Sequence, residues 1–502
     1  MALRKRTSET DKRINNMKDT MIQYFQWDLP ADRSLYKKLG AQAAQLARTG
    51  FNMVWMPPAS KGAAGVNDVG YSPYDLYDLG EFYQKGTQST KYGTRAQYLR
   101  AINALHKRKI RVIADVVLNH KMGADVLEEA MASTVSQLDR NKIDQSLHPV
   151  KTWTGFTFPG RRDKYSSFHW TWHHFTGTDY DESNRQNELL LFEGKYWNDR
   201  VSHENGNYDF IMGCDVDFSN TEVIDELYRW GHWYVTQTQV DGFRLDAVKN
   251  IDSSFFKCWL EDMHKYGNHP DFAVGEFWSG NVWDVKHYLH DCGYCMKMMD
   301  VPLHYELQRA SMSNGTYDIR KLFHDTLTNY DPHYAVAFVD NHDTQPHQSL
   351  ESWVMDWFKT AAYASILLYK CECPCVFYGD YYGIPSADKH PVSCLKEMVW
   401  IRANLLSSNF IDLFDEDRQK ACWMAYGEHP VIVIYTIADR KEKTFCEPNY
   451  AGLTIVDVMN PDHTETFGPD GTVRVSCMPG CASVYILKSD YSRLRREIKK
   501  DR

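Results

Sequence analysis

The sequence predicts an α/β protein built on a (β/α)8 TIM barrel, with a subdomain inserted after the third strand and a C-terminal all-β sandwich. Three observations carry that reading. Eight short β-prone runs alternate with amphipathic helical stretches, the pattern of a parallel sheet wrapped by helices. No glycine-rich phosphate loop follows the first run, which argues against an open doubly wound sheet. Acidic residues or histidines stand just past several runs, where the carboxyl ends of barrel strands converge on one mouth.

The runs are MIQYF from Met21, FNMVWM from Phe51, IRVIADVV from Ile110, DGFRLD from Asp241, FAVGE from Phe272, CMKMMDV from Cys295, YAVAFVD from Tyr334 and CPCVFYG from Cys373. Between them, residues 94–107 read as a helix. Thr94 and Gln97 form a capping box, and Leu99, Ile102 and Leu105 mark one apolar stripe. Another helix starts at Asn220 as N-cap and is expected to bury Val223, Ile224, Leu227 and Tyr234. The stretch 121–219 is too long for a structureless loop, so it is expected to fold as a subdomain over one side of the mouth. Beyond about residue 409, short strands alternate with Gly, Pro, Asn and Asp turns, an all-β sandwich over 410–488. The barrel thus takes residues 20–120 and 220–409, after an extension (1–19) and before a basic tail (489–502) read as a solvated helix or frayed end.

With 502 residues, 43% of them hydrophobic, the chain can bury a large core and divide into two or three domains. Lys+Arg 57 against Asp+Glu 66 leaves a net charge of −9, which argues against a nucleic-acid partner and suits a neutral ligand. The 15 Trp and 31 Tyr can stack on sugar rings or nucleobases, or simply pack the interior. No apolar run is long enough to span a membrane, and the first residues lack the apolar segment of a secretory signal. Cytoplasmic residence is therefore expected, with the 12 cysteines held as thiols. Cys292 with Cys295, and the alternating Cys371, Cys373 and Cys375, read as small core residues rather than metal or redox groups.

The chemistry rests on Asp115, Asp246, Glu276 and Asp343. Cleaving a glycosidic bond takes one carboxylic acid to protonate the departing oxygen and one carboxylate to attack or stabilise the sugar cation. Asp246 and Glu276 suit those tasks. Arg244 lies on the same strand face as Asp246 and is expected to favour its ionised form. Phe277, Trp278 and the nearby carboxylates are expected to raise the pKa of Glu276, as a general acid needs. His120 and His342 stand beside two of the acids, but there is none of the histidine clustering that catalytic zinc prefers.

Several long stretches, in order, resemble the α-amylase family of glycoside hydrolases, near its bacterial liquefying and cytoplasmic members. They are QYFQWDLP from Gln23, VGYSPYDLYDLGEF from Val69, KYGT from Lys91, DVVLNHKMGAD from Asp115, ENGNYDFIMGCDVDFSNTEV from Glu204, DGFRLDAVK from Asp241, GEFW from Gly275 and FVDNHDTQPHQSLES from Phe338. The resemblance covers nearly the whole chain. It implies endo-acting, retaining hydrolysis of α-1,4-glucan, with Asp246 as nucleophile, Glu276 as acid then base, and Asp343 as transition-state stabiliser. Retention implies about 5 to 5.5 Å between the first two carboxyl groups. His120 and His342 would bond hydroxyls of the sugar being cleaved, and Tyr71 would stack against it. Arg244 belongs to the same sugar-binding mouth with Asp115 supporting it, while Lys249 and Trp278 line the leaving-group side.

The resemblance also implies one structural calcium between insertion and barrel, held by Asn119, Asp209 and Asp215 side chains and the carbonyl of Asn250, where the family has His. Oxygen ligands of that kind suit calcium. Thr176, Asn198 and Ser219 stand where thermostable relatives carry acids for further metals, so a single ion is expected. The loop after the eighth strand, YGDYYGIPSADKHPVSCLKE from Tyr378, is shorter than in liquefying relatives, and such rim loops shape sugar-binding positions. The competing readings are an exo-acting or transglycosylating member of the family and an inactive carbohydrate-binding homologue. The presence of all three acids weighs against the last.

Overall fold

The computed structural model describes residues 19–499. Eight parallel strands close into a barrel: β1 (Met21–Gln23), β2 (Met53–Met56), β3 (Arg111–Val116), β4 (Gly242–Leu245), β5 (Phe272–Gly275), β6 (Lys297–Met299), β7 (Ala335–Phe338) and β8 (Cys373–Phe377). Each lies within its expected run. Closure is made by β1, whose Met21 is paired with Cys375 of β8 on one side and Met53 of β2 on the other. The wrapping helices are α1 (Leu35–Thr49), α2 (Arg95–His106), α3 (Thr221–Thr238), α4 (Ser253–Met263), α5 (Val282–Asp291), α6 (Val301–Met312), α7 (Lys359–Leu367) and α8 (Leu395–Asn404). The 12 cysteines are free thiols; Cys292 and the Cys371, Cys373, Cys375 trio are buried, and Cys295 is half-buried.

Local chemistry sets the helix starts as expected. The Thr94 N–H donates to Gln97 Oε1 (2.8 Å) while Gln97 N–H donates to Thr94 Oγ1 (3.4 Å), and the Asn220 side chain accepts from Glu222 N–H. The buried faces differ by one position. In α2 the core takes Tyr98, Ala101, Ile102 and Leu105 and leaves Leu99 half-exposed. In α3 it takes Val223, Leu227, Trp230 and Tyr234 and leaves Ile224 half-exposed. The reason is the partner surface: Tyr98 and Tyr234 meet hydroxyl to hydroxyl at 2.7 Å, and Trp230 Nε1 donates to the Leu76 carbonyl, which turns those rings inward.

The insertion forms a six-stranded antiparallel sheet that includes the long hairpin Val126–Val135 with Ile143–Gly155. It re-enters the barrel where Cys214–Val216 pairs with His120–Lys121, setting Asp215 opposite His120. Two fully buried ion pairs lie at its root: Arg161 to Asp75 (2.9 Å), which ties the insertion to the segment after β2, and Lys61 to Asp78 (3.2 Å) within that segment.

The C-terminal region is all β. A six-stranded sheet runs Phe410–Asp412, Lys420–Ala425, Val431–Thr436, Ala482–Leu487, Thr454–Asp457, Thr464–Thr466, beside a two-stranded sheet of Lys441–Cys446 and Thr472–Cys477. Strand alternation sends Met424, Ile432, Ile434 and Tyr485 into a core of its own and Trp423, Val433, Tyr435 and Val484 against the barrel. The strand Lys441–Cys446 escaped the sequence reading because KEKTFC carries three charges among its first three residues. The basic tail is not a solvated end: its helix Lys488–Lys499 buries Leu494, and Trp400 Nε1 donates to Glu497 Oε2 at 2.9 Å. Residues 500–502, and all of the expected N-terminal extension except Asp19, lie outside the described residues. Among the described residues, no helix is long and apolar enough to cross a membrane.

Candidate active site

The register of β3 with β4 sets Arg244 opposite Asp115, and Arg244 is wholly buried. Its Nη1 donates to Asp115 Oδ1 (2.9 Å) and Asp246 Oδ1 (2.7 Å), and its Nη2 lies 2.8 Å from Glu276 Oε1. Asp115 accepts from Trp55 Nε1 (2.9 Å) and the Tyr71 hydroxyl (2.7 Å) at its other oxygen. Three donors thus hold Asp115, which in turn orients Arg244.

Asp246 is the first residue past β4, held by its N–H to the Val116 carbonyl (3.0 Å). Ala247 then adopts φ +49, ψ +41, a left-handed conformation that costs a residue with a Cβ about 1–2 kcal/mol. This tight turn leaves Asp246 projecting at the strand end and points the Ala247 N–H at Glu276 Oε2 (3.4 Å). Glu276 is in turn the first residue past β5, with its N–H on the Leu245 carbonyl (3.0 Å).

His342 and Asp343 stand on the loop after β7. Gln23 Nε2 donates to His342 Nδ1 (2.9 Å), so that nitrogen accepts and the proton of the neutral ring sits on Nε2, 3.3 Å from Asp343 Oδ2. Burial, reinforced by Arg244, holds the pKa of the His342 ring well below its ordinary value and the ring hence neutral. Tyr71 stacks on His342 (centroids 4.9 Å, 16°) and lies parallel to Trp27 (5.9 Å, 2°). His120 Nε2 donates to the Tyr71 carbonyl (2.9 Å), which leaves Nδ1 a buried acceptor with no hydrogen-bond partner; burial lowers this ring to about 4. An acceptor in that state is ready for a sugar hydroxyl.

Three carboxyl groups thus share one buried guanidinium, with Asp343 near enough to feel the same charges. Burial, with Glu276 and Asp115 nearby, pushes Asp246 up to about 7 against the opposing pull of Arg244. Arg244 favours the ionised form of Asp246, as expected, but desolvation and like charge outweigh it. Asp343 is pushed well above the carboxylate range by burial and then Glu276, and Asp115 is raised by burial. The cluster retains protons near neutrality, which is the supply a general acid draws on.

On the other flank, Lys249 pairs with Glu204 of the insertion (2.9 Å) and donates to the Trp278 carbonyl (3.0 Å), while Trp278 Nε1 donates to the Tyr305 hydroxyl. The expected site residues therefore gather in one mouth. Sequence reasoning passed over Gln23, Trp55, Trp27 and Glu204. Gln23 carried a signal, since an amide inside an apolar run must find a partner when buried.

Of the residues expected to hold calcium, Asn119 and Asp215 meet, and Asp209 lies near enough to act on Asp215. Asn119 Nδ2 lies 3.4 Å from Asp215 Oδ1, and Asp215 Oδ2 is buried without a hydrogen-bond partner. Burial and then Asp209 push Asp215 well up, and burial raises Asp209 to about 7. Two desolvated carboxyls, one of them with an orphaned oxygen, are hard donors that suit a calcium ion. The Asn250 side chain donates to the Tyr208 carbonyl. Thr176 bonds Asp215, the Asn198 N–H donates to Asp209 (2.9 Å), and Ser219 Oγ donates to Asp217 (2.5 Å). Among the described residues, no group of three or more His, Cys, Asp or Glu is placed to hold a metal ion.

A closed (β/α)8 barrel with carboxyl groups at the ends of β4 and β5, and another on the loop after β7, defines the class as a glycoside hydrolase. Residues 44–426 match the family described as Alpha amylase, catalytic domain, and the chain belongs to the alpha-amylase family. It is 47% identical over 384 residues to Alpha-amylase of Bacillus licheniformis, covering 76% of this chain and 75% of that one. It is 38% identical over 488 residues to Cytoplasmic alpha-amylase of Escherichia coli (strain K12), covering 93% and 99%. Among solved structures, the alpha-amylase from Geobacillus thermoleovorans complexed with acarbose aligns with a TM-score of 0.61 at 18% identity, covering 94% of this chain and 98% of that one, which shows the shared fold. The chain is an α-amylase-type enzyme that acts on α-glucans.

Proposed function

We propose that the enzyme cleaves internal α-1,4-glucosidic bonds of starch, glycogen or maltodextrin with retention of anomeric configuration. The observation that carries this is Arg244 bridging Asp246 and Glu276 with its two terminal nitrogens. A single planar guanidinium keeps the two carboxyls on one reacting centre. Glu276 protonates the glycosidic oxygen as the Asp246 carboxylate attacks the anomeric carbon and the C–O bond breaks; Glu276 then takes a proton from water, whose oxygen displaces Asp246. Asp343 and the His342 Nε2–H grip hydroxyls of the sugar, and His120 Nδ1 accepts another. Proton NMR of maltoheptaose turnover tests the reading: α-anomer released early, with internal fragments, is expected. Release of β-anomer, or of a single product from one chain end, would refute it, and products longer than the substrate would mark transfer.

We also propose one calcium at the root of the insertion, held by Asn119, Asp209, Asp215 and the Asn250 carbonyl. The ion would neutralise buried carboxyls and tie insertion to barrel without entering the reaction. Elemental analysis of dialysed protein should find one ion per chain, and chelation should lower the Tm, with calcium restoring it. Two or more tightly held ions, or a Tm indifferent to chelation, would count against the site. Cytoplasmic residence belongs to the same proposal, supported by the similarity to a relative that bears that description; fractionation of the producing cells tests it.

A further inference from the structure

The loop that carries Asp343 has no ladder of strand bonds to hold it. It is folded on itself: Asn341 Oδ1 accepts from the N–H groups of Asp343 (2.9 Å) and Thr344 (3.0 Å), and Thr344 Oγ1 accepts from Asn341 N–H (3.0 Å) and donates to Asp340 Oδ1 (2.7 Å). Such a knot fixes the loop's shape but not its place over the mouth. Its placement comes from outward ties on several sides. On the β1 side, His342 meets Gln23, as already described, and Gln345 accepts from the Trp27 N–H (3.0 Å); at the loop's start His304 Nδ1 meets the Val339 carbonyl (2.6 Å). The tie toward β8 leaves from Asp340 Oδ2, which meets Lys359 Nζ at 2.5 Å and the Val354 N–H at 3.2 Å.

Lys359 opens α7 and reaches a second carboxyl, Asp380 Oδ1, at 2.6 Å. Asp380 Oδ2 accepts from the Tyr363 hydroxyl (2.6 Å), which itself accepts from the N–H of Phe377 at the end of β8 (3.3 Å). The ammonium also sits 3.2 Å from the centroid of the Trp353 ring. Two carboxylates and one aromatic face use its three N–H directions, so its position is fully determined. Asp340, Lys359 and Asp380 are each 1% exposed. None of them faces the mouth, and none belongs to the reacting groups.

We propose that Lys359 is a positioning residue for Asp343, clamping the loop after β7 to the end of β8 through the buried pairs Asp340–Lys359–Asp380. This rests on the role given to Asp343 under the proposed function. Removing the ammonium leaves two buried carboxyls facing each other without a cation, and Asp340 must turn away or take up a proton. Either response releases the loop, and a displacement of about 1 Å at a reacting group can cost about 100-fold in rate.

The test is a double-mutant cycle at a temperature where every variant is folded. Lys359→Met should lower kcat on maltoheptaose about 100-fold with KM changed less than about 3-fold, and Lys359→Arg, which keeps the charge, should recover about 10-fold of that loss. Asp343→Asn should lower kcat by itself, and adding Lys359→Met to it should cost little more, because the lysine acts through that carboxyl. Asp380→Asn serves if Lys359→Met does not fold, with an expected loss of about 10-fold in kcat. A Lys359→Met enzyme with a lowered Tm but kcat within 2-fold of wild type would overturn the proposal, as would an undiminished further loss in the Asp343→Asn background. Full activity of Asp343→Asn would instead remove the reading of Asp343 itself, and the clamp with it.

Discussion

At the root of the insertion, Lys61 meets Asp78 and donates to the carbonyls of Phe82, Thr87 and Gln88, while Arg161 meets Asp75. At the mouth, Arg244 faces Asp115, Asp246 and Glu276 together, with Asp343 close enough to be raised by the same charges. Both clusters are buried and both use arginine or lysine with aspartate. The root pairs cation with anion one to one: Arg161–Asp75 ties the insertion to the segment after β2, and Lys61–Asp78 stiffens that segment. The mouth leaves negative charge in excess, which makes protons available. The difference is one of count rather than of residue type, and it separates a cluster that holds geometry from one whose carboxyls are pushed toward their protonated forms.

The comparison breaks first at Glu276. Glu276→Gln should lower kcat about 1,000-fold or more, within the range that general acid–base groups contribute, while calorimetry still registers maltoheptaose binding; equal losses of both would remove its assigned role. At the root, the effect should fall on stability. Asp78→Asn leaves Lys61 buried without its anion and should cost about 3–5 kcal/mol in urea unfolding, with kcat on the folded fraction unchanged. A loss below about 1 kcal/mol would mean that the carbonyls around Lys61 suffice.

The same substitution at the mouth should act with the opposite sign. Asp246→Asn removes one carboxyl from an overcrowded set, so it should abolish turnover without lowering stability. The pH dependence sharpens this. Asp246 has its folded value raised to about 7 from an unfolded value of 3.8, so the native state binds a proton that the unfolded chain has released. Its contribution is complete below pH 4 and is lost as pH rises through 7. The Tm of the wild type relative to Asp246→Asn should therefore fall between pH 4 and 8. A flat or rising difference would show that Arg244 keeps the group ionised after all.

Much of this was legible in the chain. The capping box at Thr94 and Gln97 and the N-cap at Asn220 involve residues two or three apart, and each holds in the structure. The acids past β4 and β5 were legible because a strand end is a local signal and the barrel supplies the convergence. What escaped was set by neighbours distant in sequence. Tyr98 displaced Leu99 from the core because Tyr234 waited across the helix interface. Gln23 became a ligand of His342 from 319 residues away. The basic tail looked solvated because its charges dominate the composition, yet one apolar residue, Leu494, docks it.

The order of strands and helices, the positions of the acids and the absence of framework cysteines were determined by the sequence alone, because periodicity, capping and strand-end placement act over a few residues. The protonation of the mouth was not. Arg244 and Asp246 in isolation imply an ionised aspartate; only closure of the barrel shows that the guanidinium is shared among several buried carboxyls, and desolvation and repulsion then decide what one nearby charge could not.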